Sequence, residues 1–264
     1  MIDWSNSKGA VPADGQKPIV VNMTSQGHFL SDIDLRMRTR RGFTVATLNL
    51  DHIVKIKRHP AFRDAYAAHT HITADGNPVV WLSRLSGRKI DLLPGSELIL
   101  PVIDLAVHND VPVALLGTTQ ESLAHTAARL NALYPKLRIV AQISPPMGFD
   151  PTSPQADDCI DALRASGARL CFLALGAPKQ ELFAVHAHDA LPEVGFLSIG
   201  AGLDFISGAQ TRAPRWVRNL AAEWLWRLAQ NPRRLAARYG ACIVILPQLF
   251  LDAMRSRATT DGES

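Results

Sequence analysis

Apolar residues recur along this chain with two spacings. They fall in short runs, alternating or continuous, and at intervals of three to four in the longer segments between the runs. The short runs at 18–22, 43–49, 72–75, 111–117, 137–143, 170–176 and 194–200 are rich in Val, Ile, Leu, Thr and Phe and end at Gly, Asn, Asp or Ile. That pattern predicts strands. Between them, residues 31–41 place Ile33, Leu35 and Met37 at helical spacing and stop at Gly42. Asp51 is placed to cap a helix through Ile53, Val54 and Ile56, and a second helical piece covers 60–69. Pro78 fits a first helical turn leading to Leu85, and Ser96 fits the cap of a helix to His108. Thr118 or Thr119 starts a helix through Ala132, Thr118 and Glu121 approximating a capping box. Further helices are predicted over 155–166 and after Glu181, and the irregular stretch 144–154 reads as a long, site-facing loop.

Strand and helix therefore alternate, and from Val111 onward the strands are continuous apolar runs. Such runs belong to strands buried on both faces. The fold predicted is α/β, a Rossmann-like parallel sheet covered by helices on both faces. Past Ser207 the alternation stops and the chain reads as helical to about Arg257. The predicted organisation is a flexible leader at 1–17, an α/β core at 18–208 and a C-terminal arginine-rich helical appendage at 209–264.

Composition sharpens this picture in three ways. The formal charge is +4, yet the segment 212–239 carries seven arginines against Glu223 alone, a local +6 that leaves the remainder near −2. Basicity this local points to a local anionic partner. Cys159, Cys171 and Cys242 have no paired spacing, which fits small buried side chains in a reducing cytoplasm. The polar stretch 1–17 has no signal-peptide core, and no run of 18 apolar residues occurs, so no membrane span is expected.

In an open parallel sheet, ligands bind beyond the carboxyl ends of the strands. Three such ends carry polar groups or glycine turns: Thr47-Leu-Asn49, Thr73-Ala-Asp75-Gly76, and Gly176-Ala-Pro-Lys-Gln180 with Gly200-Ala-Gly202 beside it. Glycines let backbone approach a ligand, and helix N-termini favour phosphate. Neither the dinucleotide fingerprint nor a Walker loop occurs. Each group also has a plainer reading: ordinary turns for the glycines, a helix cap for Asp75, a solvated side chain for Lys179. His69-Thr-His71 and His186-Ala-His188 lack a third ligand at familiar spacing and read as surface or helix histidines. The one D-x-D, Asp32-Ile-Asp34, falls inside a helix, so no strand-end acidic pair is available for a divalent ion.

The arginine segment has two readings. Trp216, Leu220, Trp224 and Leu228, with Val217, Ala221 and Leu225, form one apolar face. Asn231-Pro232 restarts the helix, and the block 242–251 is apolar. One reading is a basic helical hairpin packed on the core. The other has arginines gripping a diphosphate while apolar rows meet the core, a second subunit of a homo-oligomer, or a membrane surface.

The blocks Thr47-x-Asn49, Thr73-Ala-Asp75-Gly76 with Val79-Val80-Trp81, Gly176-Ala-Pro-Lys-Gln-Glu181 and Gly200-Ala-Gly-Leu-Asp204-Phe resemble those of the WecG/TagA/CpsF glycosyltransferases, glycosyltransferase family 26. So do Arg212-Ala-Pro-Arg-Trp216, Glu223-Trp-Leu-Trp-Arg227-Leu and Pro232-Arg-Arg234. The similarity runs in order over about 43–251. It implies a cytoplasmic enzyme, peripheral on the inner face of the plasma membrane, that moves a sugar with inversion from a UDP-sugar to a polyprenyl-diphosphate-linked saccharide, without cofactor or bound metal. It places the general base on Asp75. Donor and diphosphate contacts fall on Thr47, Asn49, Gly176, Lys179, Gln180, Gly200, Asp204, Arg227, Arg234 and Arg238. Two departures bear on donor and acceptor choice: Ser144-Pro-Pro-Met-Gly-Phe149 lacks the usual His-Gly-Tyr-like character, and Thr73-Ala74 replaces a common proline. The competing reading is a nucleotide- or RNA-binding module. The strand-end Asp75 and the few aromatics outside the arginine helix count against nucleic acid.

Overall fold

The computed structural model describes residues 2–4, 17–209, 214 and 223–261. Its elements begin with α1 (Gln26–Thr39), β1 (Phe43–Leu48), α2 (Leu50–Arg58), α3 (Pro60–Ala68), β2 (His71–Ala74) and α4 (Asn77–Leu85). There follow α5 (Gly95–His108), β3 (Val113–Gly117), α6 (Gln120–Leu133), β4 (Ile139–Ile143), α7 (Pro154–Ser166) and β5 (Leu170–Ala174). The chain continues through α8 (Lys179–Ala190), β6 (Gly195–Ser198), α9 (Gly202–Ser207), α10 (Glu223–Gln230) and α11 (Pro232–Asp261).

All six strands form one parallel sheet in the order β2-β1-β6-β5-β3-β4. Successive side chains of a strand point to opposite faces, and here both faces are covered. Val113 and Leu115 join a core with Phe29 and Ile33 of α1, Ile99 and Ile103 of α5, and Leu123 and Leu130 of α6. Ala114 and Leu116 join another with Ile160 and Leu163 of α7 and Phe183 of α8. A third core, on β1 and β2, takes Ile53, Phe62, Tyr66 and Val80 from α2, α3 and α4. This double cover is why the strands read as unbroken apolar runs. The outermost strand β4 is the exception, with its residues alternately exposed and half-buried.

Several predicted details differ. Residues 18–22 form no strand: Ile19 bridges Ile2 alone, and Asn22 spends its side chain on the edge of β2, accepting from Ile72 N at 2.7 Å and donating to Thr70 O at 2.8 Å. A side-chain amide thus replaces a ladder. Within the stretch expected to be a loose leader, Trp4 is buried in the β1/β2 core, while residues 5–16 lie outside the described residues. Helix α1 starts earlier than predicted because Ser25 caps it, and α5 starts after Pro94, not at a Ser96 cap. Asp51 does not cap α2; Asn49 does, and Asp51 lies in the first turn.

The C-terminal helix α11 begins at Pro232, as the Asn-Pro step predicts, and packs along α2 and α4. Leu235, Cys242, Leu249 and Ala253 form its buried stripe. Lys57 Nζ donates to Gln248 Oε1 across the same contact at 2.9 Å. The stretch Leu235–Ala258, 24 residues with a mean hydropathy of 1.4, is long and apolar enough to cross a membrane by length and composition. Counting unbroken apolar residues misses it because Arg238, Gln248, Asp252 and Arg255 interrupt the run. The side away from the body exposes Ile243, Val244, Phe250, Leu251 and Met254.

Candidate active site

The parallel register aligns the carboxyl ends of β1, β2, β6 and β5, with Leu48 opposite Ala74 and Leu173 opposite Ser198. Asp75 follows β2 directly. Its N–H donates to Leu48 O at 2.8 Å, and Thr47 Oγ1 lies 3.4 Å from its Oδ2. The N-cap of α4 is Gly76, at φ +110°, which has no side chain to cap with. The plainer reading of Asp75 as a helix cap therefore fails, and its half-buried carboxylate stands at the strand end beside Thr47. Asn49 caps α2, its Oδ1 accepting from His52 N at 3.0 Å. The start of α5 closes tightly on this edge. A Cβ on Gly95 would come within 2.9 Å of Ser198 O and 3.3 Å of Thr47 Cγ2, so only glycine fits.

Behind these loops is a buried polar cluster. Gln180 is 2% exposed and both ends of its amide are taken. Its Oε1 accepts from Gly200 N at 3.1 Å, and its Nε2 donates to Glu181 Oε1 at 2.8 Å. Gln180 thereby ties the β5 turn to the β6 turn, where Gly200 has φ +55°. Glu181 is fully buried, its Oε2 has no hydrogen-bond partner among the described residues, and burial pushes its carboxyl up to about 7. Tyr66 is also fully buried and shares a 2.8 Å hydrogen bond with His52 Nδ1. Burial, with the charges of Glu181 and Asp75 nearby, raises the Tyr66 phenol, and burial holds His52 neutral, down at about 3. Glu181 stands in the Pro-Lys-Gln-Glu block, so its place was visible in the sequence, but its burial was not.

The remaining predicted residues are spread more widely. Asp204 accepts from Thr118 Oγ1 at 2.8 Å and Ser122 Oγ at 3.1 Å, fastening α9 to the start of α6. Thr119 rather than Thr118 caps α6, which leaves Thr118 for this contact. Gly176 adopts φ +71° at the β5 turn, and Lys179 opens α8 within electrostatic reach of Asp150. The loop after β4, expected to face the site, leaves the strand at the sheet edge opposite β2 and reaches back toward α6 and α8, Ser144 Oγ donating to Thr118 O at 2.7 Å and Asp150 lying near Lys179. Ser144, Pro146, Gln155 and Cys159 line a separate cavity of about 410 Å³.

Of the arginines, Arg238 is placed in full: its Nη2 lies 2.9 Å from Asp51 Oδ2, which also pairs with Lys55. Arg227 and Arg234 belong to α10 and α11, but their side chains lie outside the described residues, as do Arg212, Arg215, Arg218, Trp216 and Leu220. Trp224 meets Tyr239 edge-on at 5.8 Å.

Among the described residues no three His, Cys, Asp or Glu side chains gather as a metal-ligand set. Contrary to a surface reading, His69 and His71 are buried. His69 Nδ1 bonds to Ala65 O at 2.7 Å, and His71 Nε2 to Asp32 Oδ2 at 2.7 Å. All three cysteines are buried and unpaired.

A strand-end carboxylate, glycine turns at neighbouring strand ends and an arginine-bearing helix docked beside them suit group transfer from a diphosphate. The family model described as Glycosyl transferase WecG/TagA/CpsF matches residues 18–262. With that match spanning both the sheet and the C-terminal helices, the chain belongs to the WecG/TagA/CpsF glycosyl transferase family.

Proposed function

We propose that this chain is an inverting, metal-independent transferase that moves a sugar from a UDP-sugar to a polyprenyl-diphosphate-linked saccharide at the cytoplasmic face of the plasma membrane. Its family is one of glycosyltransferases in cell-surface polymer biosynthesis, which use a nucleotide-sugar donor and a lipid-linked acceptor. The observation that carries the finer reading is Asp75, a carboxylate at the end of β2 beside Thr47, with Gly76 holding the N-cap position of α4. As general base, Asp75 takes the proton of the acceptor hydroxyl. The freed oxygen pair attacks the anomeric carbon, the bond from that carbon to the diphosphate oxygen breaks, and UDP leaves with its electrons from the opposite face. Arginines and helix N-termini offset the charge that develops on the diphosphate. The sugar is of the hexosyl, N-acetylmannosaminyl or N-acetylmannosaminuronyl type. The exposed stripe Ile243, Val244, Phe250, Leu251 and Met254 supports docking on the bilayer that holds the acceptor.

The test is Asp75→Asn, which keeps size and removes basicity. Turnover should fall about 100-fold or more, with UDP binding and thermal stability near wild type. Near-normal turnover by a folded Asp75→Asn protein would remove the base from this residue. In the same assay the wild-type rate should persist in excess EDTA, and a loss restored by Mg²⁺ or Mn²⁺ would contradict metal independence.

A further inference from the structure

Asp51 joins the loop after β1 to the C-terminal helix. It sits two residues beyond Asn49 in the first turn of α2, with its side chain only 12% exposed. One oxygen, Oδ2, takes two cations: the Lys55 ammonium from the next turn of α2, and Arg238 Nη2 from α11 at 2.9 Å. The Arg238 contact joins residues far apart in sequence and, with the Lys57–Gln248 hydrogen bond, ties a mainly apolar seam in which Leu249 and Ala253 of α11 enter the core built on β1 and β2. An exposed ion pair would be worth little. Here the carboxylate is mostly buried and shared, so neutralising it leaves Lys55 and Arg238 repelling each other across the seam. Arg234 lies one helical turn before Arg238 on the same helix. The seat of Arg238 therefore governs where that part of the arginine segment stands relative to the strand ends.

We propose that Asp51 is a positioning residue for transfer: through Arg238 it seats α11 against the β1 loop and holds the arginine segment ready for a diphosphate. The proposal rests on the transferase reading above. The Arg238 side chain is 42% exposed and its guanidinium has five N–H donors, so pairing through Nη2 does not exhaust its capacity for a phosphate oxygen. Two cations on one carboxylate also leave the seat with a net positive charge that an anion completes.

The test uses the full-length chain carrying Asp51→Asn, which keeps the shape and removes the charge. The arginines themselves remain, so what falls is the fraction of molecules in which α11 is seated. Apparent affinity drops by that fraction while saturating substrate restores the seated state. KM for the diphosphate substrates should rise about 10-fold with kcat changed less than about threefold. In the absence of substrate, amide exchange across residues 232–261 should quicken by about 10-fold. Arg238→Ala should quicken the same amides, and in the exchange assay the double variant should be no worse than the worse single one, because both remove one interaction. Wild-type KM and exchange in Asp51→Asn, or strictly additive exchange effects, would overturn the proposal. A fall in kcat at unchanged KM would overturn it too, since that places Asp51 in the chemistry. If the wild-type protein transfers sugar from no UDP-sugar, the transferase reading has failed, and the exchange measurements alone decide whether Asp51 seats the helix.

Discussion

Two buried side chains set opposite limbs of this protein's pH response. Glu181 has no exposed surface and, among the described residues, one oxygen without a hydrogen bond, and burial raises its carboxyl to about 7 against an ordinary 4.5. The unfolded chain ionises first, so stability is full below pH 4.5, falls as pH rises to about 7, and is level above that. Glu181→Gln removes the ionisation and retains an acceptor for Gln180. It should be close to neutral at about pH 4.5 and stabilising by roughly 3 kcal/mol at pH 8. Urea unfolding at those two values checks this, and an equal difference at both would mean Glu181 does not titrate between them. His52 acts in the other direction. Burial lowers it from 6.5 to about 3, so its contribution is whole above pH 6.5 and is lost as pH falls toward 3.

At the scale of elements, α11 carries Arg233, Arg234 and Arg238 along α2 and α4, and α10 packs on α11. Asn231 and Pro232 break one helix and start the next, and the buried stripe of α11 is fitted to α2 and α4. A charge-assisted hydrogen bond to phosphate contributes roughly 1.5–3 kcal/mol. On the proposed function, Arg227→Ala and Arg234→Ala should each reduce transfer by about 10- to 100-fold, with a melting temperature within about two degrees of wild type. Transfer rates at saturating donor, read beside thermal unfolding, check this. Full activity in both variants would leave the arginines as solubilising charge.

For the whole molecule, α11 presents two apolar sides with different fates. One stripe completes the core on β1 and β2, so deleting the helix would uncover the faces of α2 and α4 and remove Leu249 and Ala253 from that core as well as removing arginines. The outer stripe is the sharper probe of bilayer docking. Val244 is 77% exposed and Leu251 53%, so acidic replacements there remove no core contact. Each apolar side chain buried in a bilayer contributes roughly 1.5–3 kcal/mol. Val244→Glu with Leu251→Glu should therefore weaken sedimentation with anionic vesicles about 10-fold or more while leaving the unfolding midpoint in place. Unchanged vesicle binding would assign that stripe to some other contact.

Much of this was legible from local pattern. Continuous apolar runs demand burial on both faces, which forces a parallel sheet between helix layers. Thr47, Asn49, Asp75 and Gly176 end strands, so a parallel sheet brings them to one edge whatever the strand order. The arginine cluster and the Asn-Pro restart are likewise properties of neighbours in sequence. What the pattern could not contain is which partner each polar group would find across the fold. Gln180 faces Gly200 and Glu181, Asp204 faces Thr118 and Ser122, and Asp51 faces Arg238. A predicted contact residue and a buried tie look alike in sequence. So do a capping aspartate and one whose helix is capped by the next residue, as Asp75 and Gly76 show. The order β2-β1-β6-β5-β3-β4 started the loop after β4 at the far edge from Asp75. Local periodicity reports how an element is buried. Strand order and the pairing of distant polar groups follow from how buried surfaces and unsatisfied hydrogen bonds are reconciled over the whole chain, and only the tertiary structure decided them.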